Sequence, residues 1–135
     1  MSLQSVREFF AEHAPDINII ELEQSTATVA LAAAAHQVEP GQIAKTLSLK
    51  IKDRVILVVA KGDARLDNKK LKDTFGAKAR MLSSDEVVML TGHPVGGVCP
   101  FGLENPLDVY CDISLQAYDA VLPAAGAIHS AVRIS

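Results

Sequence analysis

Ile43-Ala44-Lys45-Thr46-Leu47-Ser48-Leu49-Lys50-Ile51, then Lys52-Asp53, then Val55-Ile56-Leu57-Val58-Val59-Ala60: this stretch decides the fold. Its first segment alternates as a strand does. Ile43, Leu47, Leu49 and Ile51 fall on one face, and Ala44, Thr46, Ser48 and Lys50 on the other. Lys52-Asp53 predicts a tight turn. The apolar run that follows predicts a central strand covered on both faces. Lys45 breaks the alternation, because it falls on the apolar face and lysine is almost never buried without a partner. Two readings stand. One is an edge lysine that snorkels to water; the other is a positive charge aimed into a pocket.

Outward from this stretch, helices and strands follow one another. Towards the N-terminus, helical spacing of Leu3, Val6, Phe9, Phe10 and His13 predicts a helix over 2–13, with Ser2 as cap and Pro15 as stop. Ile17 to Leu22 reads as a strand. Ser25 or Thr26 is expected to cap an Ala-rich helix over 27–37, with His36 at its C-terminal end, before a turn at Glu39-Pro40-Gly41. Towards the C-terminus, Asp67 caps a basic helix over 68–75 that Gly76 ends. A short strand near Ala79 to Leu82 precedes a helix capped by Ser83 or Ser84 and running through Leu90. Strands are predicted at 107–113, with Asp108 and Asp112 on one face, at 121–122, and at 128–134. A turn or short helix over 114–119 and a small-residue turn at 124–126 connect them. Neither an internal repeat nor a linker is visible, so one domain over residues 1–135 is expected, an α/β (α+β) fold with a mixed sheet and helices packed on it.

One loop stands apart. Four of the eight glycines fall in Thr91-Gly92-His93-Pro94-Val95-Gly96-Gly97-Val98-Cys99-Pro100-Phe101-Gly102, with two prolines, a histidine and a cysteine. Glycine admits φ > 0 and close backbone approach, while proline fixes φ. Such a loop is either a long turn between helix and strand or a stiff backbone cradle for a substrate.

Hydrophobic residues make up 49% of the 135, which excludes a disordered chain. Trp is absent, so the core must be aliphatic. No apolar run approaches the roughly 20 residues of a membrane span. The first residues lack the pattern of a signal peptide. Cys99 and Cys111 are expected to be reduced and the chain cytoplasmic. The net charge of −3 hides an asymmetry. Residues 45–80 hold eleven Lys and Arg against four Asp, 11 − 4 = +7, leaving −10 elsewhere. That split is either a Lys-rich solvated surface or a basic face for a polyanion such as RNA.

The catalytic signatures are few. Neither zinc-ligand spacing, nor a phosphate-binding loop, nor a nucleophile elbow is present, so no metal and no cofactor are expected. Cys99 is either a small apolar residue packing the loop or a nucleophile with His93 or His129 as base.

Three segments stand out together: Ile43-Ala44-Lys45-Thr46-Leu47, Gly96-Gly97-Val98-Cys99-Pro100-Phe101-Gly102, and Ala125-Gly126-Ala127-Ile128-His129-Ser130. In order and approximate spacing they resemble the YbaK/ProX aminoacyl-tRNA deacylases. Thr46 stands where several relatives carry Asn. The resemblance covers nearly the whole chain and extends to the editing domain of bacterial prolyl-tRNA synthetases. It implies a mostly antiparallel, curved sheet with helices packed around it. It implies a free-standing hydrolase for the ester of mischarged tRNA, with tRNA for proline as the expected carrier. Lys45 matches the family's important lysine, and Gly96 through Pro100 its Gly-x-x-x-Pro loop. Lys45, Gly96 and Gly97 are the catalytic candidates. Thr46, Val98, Pro100, Phe101, His129 and Ser130 are candidates for substrate binding. The implied partners are the acceptor end of aminoacyl-tRNA and prolyl-tRNA synthetase, with no membrane; a monomer or weak homodimer is expected. A non-catalytic tRNA- or synthetase-binding module and a Cys99-dependent hydrolase are the alternatives.

Overall fold

A computed structural model describes residues 2–64, 67–105 and 107–134. The decisive stretch forms the hairpin it predicts. β2 (Ile43–Ile51) and β3 (Arg54–Lys61) pair antiparallel from Ala44↔Lys61 to Ile51↔Arg54 around the Lys52-Asp53 turn. β3 is a central strand, with β2 on one side and β5 (Asp108–Cys111) parallel to it on the other. Ile56 and Leu57, whose side chains point to opposite faces, are both fully buried. Burying each contributes roughly 1.5–3 kcal/mol, which makes β3 the spine of the fold.

The outer edge of β2 is shared. β4 (Ala79–Met81) pairs antiparallel with Leu49–Ile51, and β6 (Leu122–Pro123) pairs parallel with Ile43 and Ala44. A second, two-stranded sheet joins β1 (Ile19–Glu21) to β7 (Ser130–Val132), antiparallel. Antiparallel pairings dominate in this mixed α/β architecture, as expected.

α1 (Ser2–His13) starts at the expected cap itself, and the preceding position lies outside the described residues. Its Val6 and Phe10 pack with Cys99, Ala125 and Val132. α2 (Val29–His36) lays Ala32 and Ala33 on Ile43 and Leu122, the close approach that alanine allows. Its cap is a correction. Thr28, not Ser25 or Thr26, accepts from Leu31 N–H. Thr26 instead bonds through its hydroxyl to the Ile128 carbonyl at 3.1 Å. His36 ends α2, and burial lowers its pKa.

α3 (Asn68–Phe75) carries the Asp67 cap and the left-handed Gly76 as predicted, and packs Leu71 and Phe75 on Leu49, Ile51, Ile56 and Val58. α4 (Ser84–Thr91) opens with a capping box between Ser83 and Glu86 and closes on Gly92. Two C-terminal expectations are corrected. Asp112 leaves β5 to cap a 3₁₀ turn over Ile113–Ala117 by accepting from Ser114 N–H. Ile128 and His129 sit in a turn before β7, with Ile128 exposed. Arg65, counted in the basic segment, lies outside the described residues. No helix is long and apolar enough to cross a membrane among the described residues.

Candidate active site

The shared edge of β2 leaves an opening. β6 stops at Ala44 and β4 begins at Leu49. A cavity of about 300 Å³ lies against this interval and is lined by residues 43–48 of β2. Thr26 to Val29 and Ala32 wall it on one side; Met81, Leu82, Ser84 and Val87 wall it on another. Val95, Gly96 and Val98 of the glycine-rich loop, with Leu122, Ala124, Ser130 and Ala131, complete it.

Lys45 lines this cavity, half-buried, and its Nζ donates to the Ala64 carbonyl. One ammonium has three donors, so a single carbonyl leaves two for a ligand. The side chain is thus half-buried along the cavity wall with its ammonium tied to a carbonyl, not an edge lysine free in solvent.

The loop is fixed by its glycines. Gly96 has φ +92°, and a Cβ there would lie 2.8 Å from Ala27 Cβ. A Cβ on Gly97 would lie 2.7 Å from the Ala127 nitrogen. Only a residue without a side chain passes Ala27 and Ala127 this closely. The Gly97 N–H donates to the Pro94 carbonyl at 2.9 Å, and the Gly97 carbonyl accepts from Gly126 N–H at 3.0 Å. Both polar groups of Gly97 are thus engaged, and it does not line the cavity. Among the described residues, the N–H groups of Val95, Gly96 and Val98, the three loop residues that line the cavity, have no acceptor, and Gly96 and Val98 flank the fixed Gly97.

The second half of the loop turns away. Phe101 packs on Phe10 and Phe9 of α1, with ring centroids 4.7 Å and 5.8 Å apart. Neither Phe101 nor Pro100 lines the cavity. His93, fully buried, donates from Nε2 to the Phe101 carbonyl at 2.7 Å, which leaves Nδ1 as the unprotonated nitrogen. Burial lowers its pKa, which favours the neutral ring. Cys99 is fully buried, its Sγ 3.7 Å from that same Nε2. Burial pushes the thiol up to about 12. A thiol so enclosed and held protonated is poorly placed as a nucleophile, which weighs against the cysteine-hydrolase alternative. Its packing role is what the structure displays.

Of the remaining candidates, Thr46 and Ser130 line the cavity, and His129 does not. Ser130 is fully buried and its hydroxyl donates to the Ala127 carbonyl at 3.4 Å. The cavity thus brings Lys45, Thr46, Gly96, Val98 and Ser130 together and leaves Gly97, Pro100, Phe101 and His129 behind or beside it. Sequence reading missed Ser48, Val29, Val87 and Val95. The alternation of β2 placed Ser48 on the face of Thr46, but nothing local reveals which helix covers that face.

The basic segment is spread over several elements. Arg54 pairs with Asp108, Lys61 with Asp63 and Arg80 with Glu86. Lys69 and Lys72 on α3, and Lys78 before β4, are exposed and form no ion pair among the described residues. No group of three or more His, Cys, Asp or Glu suited to a metal occurs among the described residues.

The profile of the aminoacyl-tRNA editing domain matches residues 23–135. The chain belongs to this editing-domain family. It is 49% identical over 136 residues to the uncharacterized protein YwhH of Bacillus subtilis (strain 168), covering 100% of this chain and 87% of that one. It is 34% identical over 91 residues to a proline–tRNA ligase of Citrifermentans bemidjiense, 67% of this chain but 16% of the ligase. This editing domain therefore spans a small fraction of the synthetases it matches. Among solved structures, one provisionally described as a trans-editing enzyme for prolyl tRNA synthetase superposes with a TM-score of 0.91. It shares 32% identity over 99% of this chain and 86% of its own. The structure of hypothetical protein APE2540 gives a TM-score of 0.89 at 32% identity.

Proposed function

We propose that this editing domain is a free-standing deacylase that hydrolyses the ester of mischarged aminoacyl-tRNA, with tRNA for proline as carrier and a small amino acid as cargo. One observation supports the reading: Lys45 and the Gly-rich loop line the same cavity in a chain of the editing family. Water attacks the acyl carbon, the bond to the ribose oxygen breaks, and that oxygen takes up a proton. The amino acid leaves as its carboxylate with release of the second proton of water. The developing oxyanion needs donors that are in place before reaction, and the unengaged N–H groups of Gly96 and Val98 are suited to it. One such donor is typically worth ~10²–10³ in rate. Lys45 would hold the ester or the terminal phosphate by charge. The exposed lysines of α3 would meet the phosphates of the acceptor stem, a sequence-tolerant and salt-sensitive contact.

The test is a deacylation panel. tRNA for proline is charged with alanine, cysteine, serine, threonine or a small non-protein amino acid, and incubated with wild type and Lys45→Ala. At least one ester should turn over well above its uncatalysed rate, and Lys45→Ala should lower that turnover by about 10² or more with its circular dichroism unchanged. Salt-dependent tRNA binding without ester loss would instead favour a binding module. Turnover unchanged in Lys45→Ala would remove that residue from the mechanism.

A further inference from the structure

The interval between β6 and β4 concerns backbone as well as side chains. In an antiparallel strand the N–H and C=O of one residue point to the same edge, and successive residues alternate edges. The Ser48 carbonyl accepts from Leu82 N–H at 3.2 Å, so the even-numbered residues of β2 face the β4 edge. The two-residue Lys52-Asp53 turn agrees, because its closing pair Ile51↔Arg54 directs odd residues towards β3. Thr46 therefore directs both its N–H and its C=O into the interval where, among the described residues, no strand pairs. The cavity occupies that interval and Thr46 lines it. The Thr46 hydroxyl is also buried without a hydrogen-bond partner among the described residues. A buried, unpaired backbone donor and acceptor cost free energy unless a partner arrives.

We infer that the main chain of Thr46 is the docking site for the aminoacyl unit itself, which pairs with it as one residue of an added strand. The inference rests on the deacylase reading and specifies where that substrate is held. An aminoacyl ester carries an ammonium and an acyl oxygen on either side of one carbon. That is the donor–acceptor spacing which a residue in an antiparallel hydrogen-bonded pair presents to its neighbour. The α-ammonium donates to the Thr46 carbonyl, and the Thr46 N–H donates to the acyl oxygen. Recognition by main chain is indifferent to the substrate's side chain, which leaves discrimination to the surrounding walls, Val29, Leu82, Val87 and Val95 among them. It also demands a free α-amino group.

Two stable adenosine amides separate the possibilities: 3′-alanylamino-3′-deoxyadenosine and its 3′-propionylamino counterpart, which lacks only the amino group. Their binding to the full chain is measured by NMR titration. A hydrogen bond to a charged donor should make the alanyl compound bind about 10- to 100-fold more tightly. The Thr46 amide resonance should shift with both compounds, since both offer the acyl oxygen. Equal dissociation constants, or a Thr46 amide that does not respond to the alanyl compound, would overturn the inference. A second protein variant, in which the Thr46 amide nitrogen is replaced by an ester oxygen through semisynthesis, removes the donor and keeps the side chain. It should lose about tenfold in affinity for both compounds and keep the preference for the amino group; unchanged affinity would overturn the donor's part. Binding in these titrations with no ester turnover by wild type would defeat the deacylase reading alone.

Discussion

The two halves of the glycine-rich loop have similar composition and opposite duties. Val95, Gly96 and Val98 line the cavity, with their three N–H groups unengaged among the described residues. Cys99 and Phe101 face α1, with the Phe101 carbonyl receiving His93 and the rings of Phe9 and Phe10 against the side chain. The difference is a division between anchor and presenter. The buried half makes the loop rigid so that the open half can hold donors in place without a bound ligand. Electrostatic catalysis requires that kind of preorganisation.

The comparison can be broken first at the anchor. Phe101→Ala removes most of a ring from the α1 contact and should cost about 3 kcal/mol in urea denaturation. Turnover per folded molecule should stay within about fivefold, because the ring does not reach the cavity; a loss near 10² would merge the two halves into one. Gly97→Ala works at the junction. Its Cβ would sit 2.7 Å from the Ala127 nitrogen, so the loop or the Gly126 turn must move. A displacement near 1 Å costs on the order of 10² in rate, and a steady-state deacylation assay with a folded variant reads it directly.

A pH series sharpens the anchor further. His93 is buried and neutral, its pKa below the ordinary 6.5. Once unfolded, it takes up a proton near 6.5, so the unfolded state binds more protons below that pH. Stability present at pH 7 should therefore fall as pH drops below about 6.5 and continue to fall until the folded pKa is reached. His36 has the same sign. His93→Gln should flatten its own share of the slope in thermal melts from pH 7 to 5, while an unaltered slope would remove His93 as a cause. The smallest effect is expected at Cys99. Iodoacetamide at pH 8 should label exposed Cys111 and spare Cys99 in the folded chain. Cys99→Ala should keep turnover within about twofold, and loss of activity there would restore the thiol as a reactive group.

Much of this was legible in the residues. The β2–β3 hairpin, α3 and α4 announce themselves through local signals: alternation, a six-residue apolar run, Asp67 and Ser83 as caps, Gly76 and Gly92 as stops. Thr28 was missed because Ser25, Thr26 and Thr28 are chemically equivalent caps, and only the bond from Thr26 to Ile128 removes one of them. Among the residues that line the cavity, Lys45 stood out in the sequence because it broke a pattern. That Phe101 and Pro100 turn away from the cavity could not be read, because loop residues have no period from which to read a direction, and the distant α1 decides it. The open edge of β2 was invisible for a related reason. Strand order depends on which distant segments pair, and a gap between two such segments leaves no local trace.

The bond from the Thr26 hydroxyl to Ile128 spans 102 residues, and the walls of the cavity run from Thr26 to Ala131. During synthesis, then, a ribosome-tethered chain can form its central hairpin well before it can form this cavity. Closing so long a loop comes late, because its entropy must be offset by contacts that do not yet exist. Until the last segments emerge, the Thr46 edge lies beside β4 without the walls that enclose it, as a strand-pairing template. Ser130 and Ala131 wall the cavity over that still unpaired edge, so a chain stopped short of Ser130 should be prone to aggregation as well as inactive.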